Sequence, residues 1–146
     1  MSRKENAVKK WIAWGLGCMA VAAFAGAELS KVPAPLNQSL ASHSTKSAAM
    51  DGGVLRVVLN KPALTELAFF TFIYHDICAQ QWRQPESFAK MGLKRVEVLN
   101  AAGADGFAFD GDAAVCADMG QMGKNYRTFI GQRTAKCEAG RCGSTQ

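Results

Sequence analysis

Residues 64–82, LTELAFFTFIYHDICAQQW, form the most hydrophobic stretch of the chain that follows the N-terminal segment. If this stretch is helical, residues 67–77 present apolar side chains on nearly every face, which indicates a central helix covered on most sides. The aromatic residues within 69–74 are also typical of a strand. The length of the stretch and Pro62, which suits the first turn of a helix, favour the helix. Pro85 then predicts a break, followed by a short second helix.

Shorter stretches around the central helix have the composition of strands. Residues 54–59, VLRVVL, are apolar and mostly β-branched, which indicates a buried strand, and residues 94–99 alternate between polar and apolar. Residues 107–109 follow a turn-rich segment and predict a hairpin with 94–99. Asp112 is a suitable N-cap for a short helix, and residues 126–130 predict the last strand.

The predicted order of elements is strand, helix, helix, strand, strand, helix and strand. This order disfavours a doubly wound α/β fold, because strands and helices do not alternate. It predicts an α+β domain, in which a small antiparallel sheet packs on the central hydrophobic helix. The 146 residues are 49% hydrophobic and 20% charged, a globular composition that argues against fibrous and wholly disordered proteins.

Residues 1–27 have the features of a secretory signal. Basic residues precede an uncharged run over 11–27, which ends in small residues. We expect cleavage after Ala25-Gly-Ala27, just before Glu28. An uncleaved anchor is the alternative, since a run of this length lies at the lower end of what spans a bilayer, and residues 11–27 would then contact the membrane. Lipidation at Cys18 fits less well, because the apolar run continues beyond it.

Residues 28–53 are predicted to be a flexible linker. The segment is rich in serine, contains prolines and has neither an aromatic residue nor a cysteine. Such a composition buries too little apolar surface to offset the entropy lost on ordering. The folded, disulfide-stabilised domain is therefore expected over 54–146.

The net charge does not indicate a nucleic-acid-binding protein. The formal charge is +5, from 17 Lys and Arg against 12 Asp and Glu. Most of the excess lies in residues 1–27, where four basic residues accompany only Glu5. Because this excess belongs to the targeting segment, we expect no binding of DNA or RNA.

The cysteines predict a disulfide framework. Removal of the leader would remove Cys18 and leave Cys78, Cys116, Cys137 and Cys142, an even number in a small exported domain. Of the three pairings that four cysteines allow, we favour Cys137 with Cys142, which are close in sequence. Cys78 would then pair with Cys116, and the crossed pairings are the alternatives. By the chain-entropy argument, the long-range bridge should contribute roughly 3–4 kcal/mol.

A catalytic or metal-binding role for the same cysteines has weaker support in the sequence. Cys78 and His75 could form a nucleophile pair, but an isolated His-x-x-Cys is common by chance. His75, Cys78, Cys137 and Cys142 have only a loosely zinc-like spacing and lack a Cys-x-x-Cys knuckle. We therefore assign no catalytic residue, no metal site and no cofactor.

Basic residues concentrate near the C-terminus and form a candidate binding patch. From residue 124 onward the only acidic residue is Glu138. The alternative interpretation is a solvated basic face. The patch consists of Lys124, Arg127, Arg133, Lys136 and Arg141.

The functional hypothesis follows from an export signal, a stapled domain and the lack of a hydrolase, metalloprotease, P-loop or Rossmann motif in the sequence. We expect an exported, non-enzymatic protein of the bacterial periplasm or envelope that binds another protein. It would be an accessory of a secretion, pilus or conjugation assembly, or an inhibitor. The alternative is a small exported hydrolase that uses Cys78 with His75.

Overall fold

The computed structural model describes residues 27–42 and 44–145; the predicted signal or anchor, up to residue 26, and Cys18 lie outside them. Within the described residues, seven strands form one sheet in chain order, and six α-helices accompany it. The strands are β1 (Glu28–Lys31), β2 (Thr45–Asp51), β3 (Val54–Leu59), β4 (Arg95–Leu99), β5 (Gly106–Asp110), β6 (Thr134–Glu138) and β7 (Arg141–Cys142). The helices are α1 (Ala34–Ala41), α2 (Glu66–Phe72), α3 (Ala79–Arg83), α4 (Pro85–Lys90), α5 (Ala113–Met119) and α6 (Tyr126–Gly131).

The predicted central helix is confirmed. It begins at Glu66 and is capped by Thr65, whose side chain accepts a hydrogen bond from the backbone N–H of Ala68 at 3.2 Å. Helix α2 continues through a π-helical segment, Ile73–Cys78, directly into α3. Phe69 and Ile77 are fully buried, as expected for a helix covered on most sides. The alternative of a strand over 69–74 is wrong.

The sheet is larger than predicted and is mixed rather than antiparallel. Strands β1 and β2 are parallel, as are β3 and β4, and the other neighbouring pairs are antiparallel. The parallel pair arises because α2, α3 and α4 carry the chain from the end of β3 back to the start of β4. The predicted hairpin is confirmed as β4 and β5.

Residues 28–53, predicted to be a flexible linker, instead form β1, α1 and β2. Leu36 and Leu40, one helical turn apart, are fully buried in the main core. Strand β2 pairs with β3 across a two-residue turn in which Gly52 and Gly53 have φ values of 56° and 84°. Glycine adopts this left-handed backbone without a steric penalty. A few buried apolar residues are enough to order this segment, because β2 also forms backbone hydrogen bonds with β1 and β3.

The last predicted strand, over 126–130, is also wrong, since these residues lie in α6. Tyr126, Phe129 and Ile130 follow a spacing of three and four residues, which places them on one side of a helix. Ile130 is fully buried, and the two aromatic residues pack beside the same core. The chain instead ends in β6 and β7, two short strands joined at Ala139 and Gly140.

The helices cover one face of the sheet. Alternate residues of the strands point into this main core, among them Leu55, Val57, Val96 and Val98. The opposite face carries a small second cluster formed by Leu99, Ala108 and Cys137. No helix in the described ranges combines the length and the apolar character needed to cross a bilayer.

Candidate functional site

Both predicted disulfide pairings are confirmed. Cys78, at the end of the π-helical segment, bonds to Cys116 on α5, with the two Cα atoms 5.0 Å apart. Cys137 bonds to Cys142, its direct partner across β6 and β7. The first bridge fastens the central helix to α5, and the second closes the C-terminal hairpin.

The hypothesis of a Cys78–His75 nucleophile pair has no free thiol to support it. Cys78 is fully buried, and its sulfur is bonded to that of Cys116. His75 is exposed, and its ring lies against the ring of Tyr74 at a centroid distance of 4.9 Å. Within the described ranges, no group of three or more His, Cys, Asp or Glu is placed to hold a metal ion.

Asp110, the last residue of β5, and Asp112, which follows it, have structural partners. Asp112 caps α5 by accepting a hydrogen bond from the N–H of Val115 at 3.0 Å. Asp110 accepts hydrogen bonds from Arg95 at 2.5 Å and from the Thr145 hydroxyl at 2.6 Å. Partial burial opposes ionisation of Asp110, but the bonds from Thr145 and Arg95, with the charge of Arg95, outweigh it and lower the pKa of this carboxyl.

The predicted basic residues lie on several elements. Lys124 and Arg127 are exposed at the start of α6 and just before it, and Lys136 and Arg141 are exposed on β6 and β7. Arg133 follows α6 and is partly buried, with its guanidinium carbon 3.9 Å from the centre of the Phe129 ring. Their role in binding remains a prediction.

Three aromatic side chains that the sequence did not single out as a site come together beside α6. The Tyr74 ring packs edge-on against Trp82 at a centroid distance of 4.8 Å, and it packs in a tilted arrangement against Tyr126 at 4.2 Å. Trp82 is 36% exposed, and the two tyrosines are partly exposed. We call Tyr74, Trp82 and Tyr126 the aromatic cluster.

The π-helical segment and the nearby disulfide position this cluster. The N–H of Ala79 reaches back five residues to the carbonyl of Tyr74, which is the hydrogen bond that defines a π turn. Such turns are frequent at functional sites. The indole N–H of Trp82 donates to the carbonyl of Cys116 at 2.8 Å. The cluster is therefore held on a rigid base.

A shallow groove of about 510 Å³ lies beside the aromatic cluster. Gly120 forms part of its wall, and a Cβ atom at that position would lie 2.9 Å from Nε1 of Trp82. The groove therefore requires a residue without a side chain where α5 passes the indole. Its wall on the α3 side includes Tyr74, Trp82 and Pro85, and its other wall includes Ala117, Gly120 and Gln121.

Arg127 extends the aromatic cluster with a positive charge. Its guanidinium carbon lies 5.6 Å from the centre of the Tyr126 ring, and its Nε donates to the Tyr126 hydroxyl at 3.2 Å. This stacking holds part of the basic group beside the rings. Arg127 is thus the member of the predicted basic patch that the structure brings to the cluster.

A second cleft, of about 540 Å³, lies at the carboxyl ends of β3 and β4 and is lined in part by Lys136. Asn100 in its wall donates to the carbonyl of Pro62 and accepts from the N–H groups of Ala104 and Asp105. These bonds give the asparagine a structural role in shaping the loop. Because the Asn100 side chain is already engaged in these bonds, we take the aromatic cluster rather than this cleft as the candidate site.

The comparisons with known proteins assign no function, so the geometry of the aromatic cluster is the basis for one. No family model, no curated protein and no solved structure matches the chain.

Proposed function

We propose that this protein is an exported, non-enzymatic component of a bacterial envelope and binds another protein through the aromatic cluster. The observation that carries the proposal is the packing of the partly exposed Tyr74 ring against both Trp82 and Tyr126, with the guanidinium of Arg127 over the Tyr126 ring. Tyrosine, tryptophan and arginine dominate the energetics of protein–protein interfaces. This surface has the composition of such a centre.

The rigidity of the cluster also favours binding. Association loses free energy whenever side chains have to be ordered at an interface. Here Trp82 is already held by its hydrogen bond to Cys116, and Tyr74 is packed between the other two rings. The cluster therefore meets a partner with little further loss of entropy.

Export is supported by the covalent framework. Disulfides form and persist in oxidising compartments, and the pairs Cys78–Cys116 and Cys137–Cys142 are compatible with that location. The signal-like sequence of residues 1–27 agrees with it. Within an envelope, the partner would belong to a secretion, pilus or conjugation assembly, or would be a protein that this chain inhibits.

The proposal is tested by photo-crosslinking in the cells that make the protein. A photoreactive amino acid at Gln121, on the rim of the groove, should give a discrete adduct with one envelope protein. The same amino acid at Asp51, exposed at the end of β2, is the matched control and should not. Combining the Gln121 probe with Tyr126→Ala should abolish the adduct. Equal adducts from both positions, or none from Gln121 in the folded protein, would contradict the proposal.

A further inference from the structure

We infer that the groove beside the aromatic cluster binds an extended, proline-containing segment of the partner that carries acidic residues where it passes Arg127. This inference rests on the proposed function, since it names the class of partner for the same surface. Three properties of the groove support it: its walls, its aromatic lining and the distribution of charge around it.

The walls of the groove favour an extended segment over a strand or a helix. They are built from the helical layer, chiefly α3 and α5, so within the described part of the chain no sheet edge borders the groove to which a partner strand could add. A docked helix is about 10–12 Å across and needs a long apolar trough for anchors on successive turns. A groove of about 510 Å³ holds only a few side chains of one segment.

The lining favours proline. Aromatic-lined grooves bind proline-rich segments because the preformed polyproline II conformation loses little entropy on binding and its rings stack on aromatic faces. Tyr74, Trp82 and Pro85 provide such a lining. Since the Trp82 indole N–H is already used by Cys116, the amide groups of Gln81 and Gln121 are the donors for the carbonyl groups of the segment.

The charge favours acidic residues at the Tyr126 side of the groove. From residue 119 to residue 137 the sequence contains no Asp or Glu. Lys124 and Arg127 are exposed in this stretch, and Arg127 lies over the Tyr126 ring. Glu86 and Asp118 are exposed next to the groove residues Pro85 and Ala117, and Arg83 is exposed next to Trp82, so the excess of positive charge lies with Lys124 and Arg127 beside Tyr126. A segment that passes Tyr126 therefore meets positive charge.

The test is a selection of random dodecapeptides, displayed on phage, against the full disulfide-bonded chain. We expect the enriched peptides to contain proline together with Asp or Glu. A synthetic peptide of the enriched sequence should bind the double variant Lys124→Glu, Arg127→Glu about tenfold more weakly than the unchanged protein. The double variant Lys31→Glu, Lys61→Glu is the matched control, because both exposed lysines lie outside the basic patch and outside the groove, and it should leave the affinity unchanged.

The outcomes separate this inference from the proposed function. Enrichment of basic, β-strand-like or amphipathic helical peptides, or no enrichment, would overturn the inference. An equal loss of affinity in the Lys31→Glu, Lys61→Glu variant would also overturn it. If an adduct still forms at Gln121 in such a case, the protein-binding proposal stands and only the partner class is wrong. If the adduct is missing as well, both fail.

Discussion

The indole N–H of Trp82 donates to the carbonyl of Cys116 at 2.8 Å, and the side chain of Cys116 is bonded to Cys78 on the helical unit that carries Trp82. Two links, one polar and one covalent, therefore join the same two elements, the central helix and α5. The aromatic cluster depends on this junction, because Tyr74 belongs to the π-helical segment that ends at Cys78.

Gly120→Ala should disturb the cluster with little effect on stability. The backbone at Gly120 is right-handed, with φ of −60°, so alanine adds no strain and reduces the entropy of the unfolded chain. Its Cβ would lie 2.9 Å from Nε1 of Trp82, which forces the indole to move. We expect the free energy of unfolding to change by less than about 1 kcal/mol and the Trp82 indole N–H resonance to shift clearly in NMR spectra.

Gln121→Ala is the control for this variant, because it changes the rim of the groove without touching the indole hydrogen bond. The resonance is assigned by its disappearance in Trp82→Phe. An unchanged indole resonance in Gly120→Ala would show that the close approach between α5 and Trp82 is wrong.

The two disulfides should contribute unequally to stability. Cys78 and Cys116 are 38 residues apart, whereas Cys137 and Cys142 are separated by 5. The chain-entropy argument then gives about 4 kcal/mol for the long loop and about 2 kcal/mol for the short one. Urea denaturation of the variants Cys78→Ala, Cys116→Ala and Cys137→Ala, Cys142→Ala measures both. A larger loss for the short loop would contradict the entropic origin of the difference.

The sequence predicted the features that depend on strong local patterns. The apolar residues around Phe69 and Ile77 identify a covered helix, and the spacing of Cys137 and Cys142 identifies a local bridge. Leu36 and Leu40 were missed because averaging over 28–53 dilutes one short amphipathic turn in a polar segment. The β-propensity of 126–130 was overridden by tertiary packing that uses the helical spacing of the same residues.

The candidate site was missed for a different reason. Tyr74 and Trp82 look like ordinary members of a hydrophobic helix, and Tyr126 is distant from both in sequence. Their contact exists only after the chain folds α6 against the central helix. Among the predicted basic residues, Arg127 is the one that lies against the cluster, and the role of the patch in binding stays a prediction.

Ala139→Gly should stabilise the protein. Ala139 has a left-handed backbone with φ of 51° in the turn between β6 and β7. This conformation costs an L-residue about 1–2 kcal/mol, and glycine avoids the cost while gaining freedom in the unfolded state, so we expect a net gain of about 0.5–1 kcal/mol. Thermal unfolding measures it. Ala114→Gly, at an exposed position of α5, is the control and should cost about 1 kcal/mol.

Asp110→Asn should lower stability at neutral pH and lose this effect in acid. The folded protein lowers the pKa of Asp110 below 3.8, so the unfolded chain binds a proton more readily than the folded one. The stabilisation from Arg95 and Thr145 is therefore complete above the unfolded pKa and is lost as the pH falls through the folded value. Because Asp110 is partly exposed, we expect about 0.5–1 kcal/mol at pH 7.

The measurement is urea denaturation of the unchanged protein and of Asp110→Asn between pH 7 and pH 3, with Asp51→Asn as the control at an exposed carboxyl. The difference should shrink as the pH falls, because protonation of Asp110 removes the same charge that the substitution removes. The Thr145 hydroxyl accounts for part of the shift, so Thr145→Val should reproduce a fraction of the loss. A difference that grows in acid, or one of equal size in Asp51→Asn, would contradict the contact of Asp110 with Arg95 and Thr145.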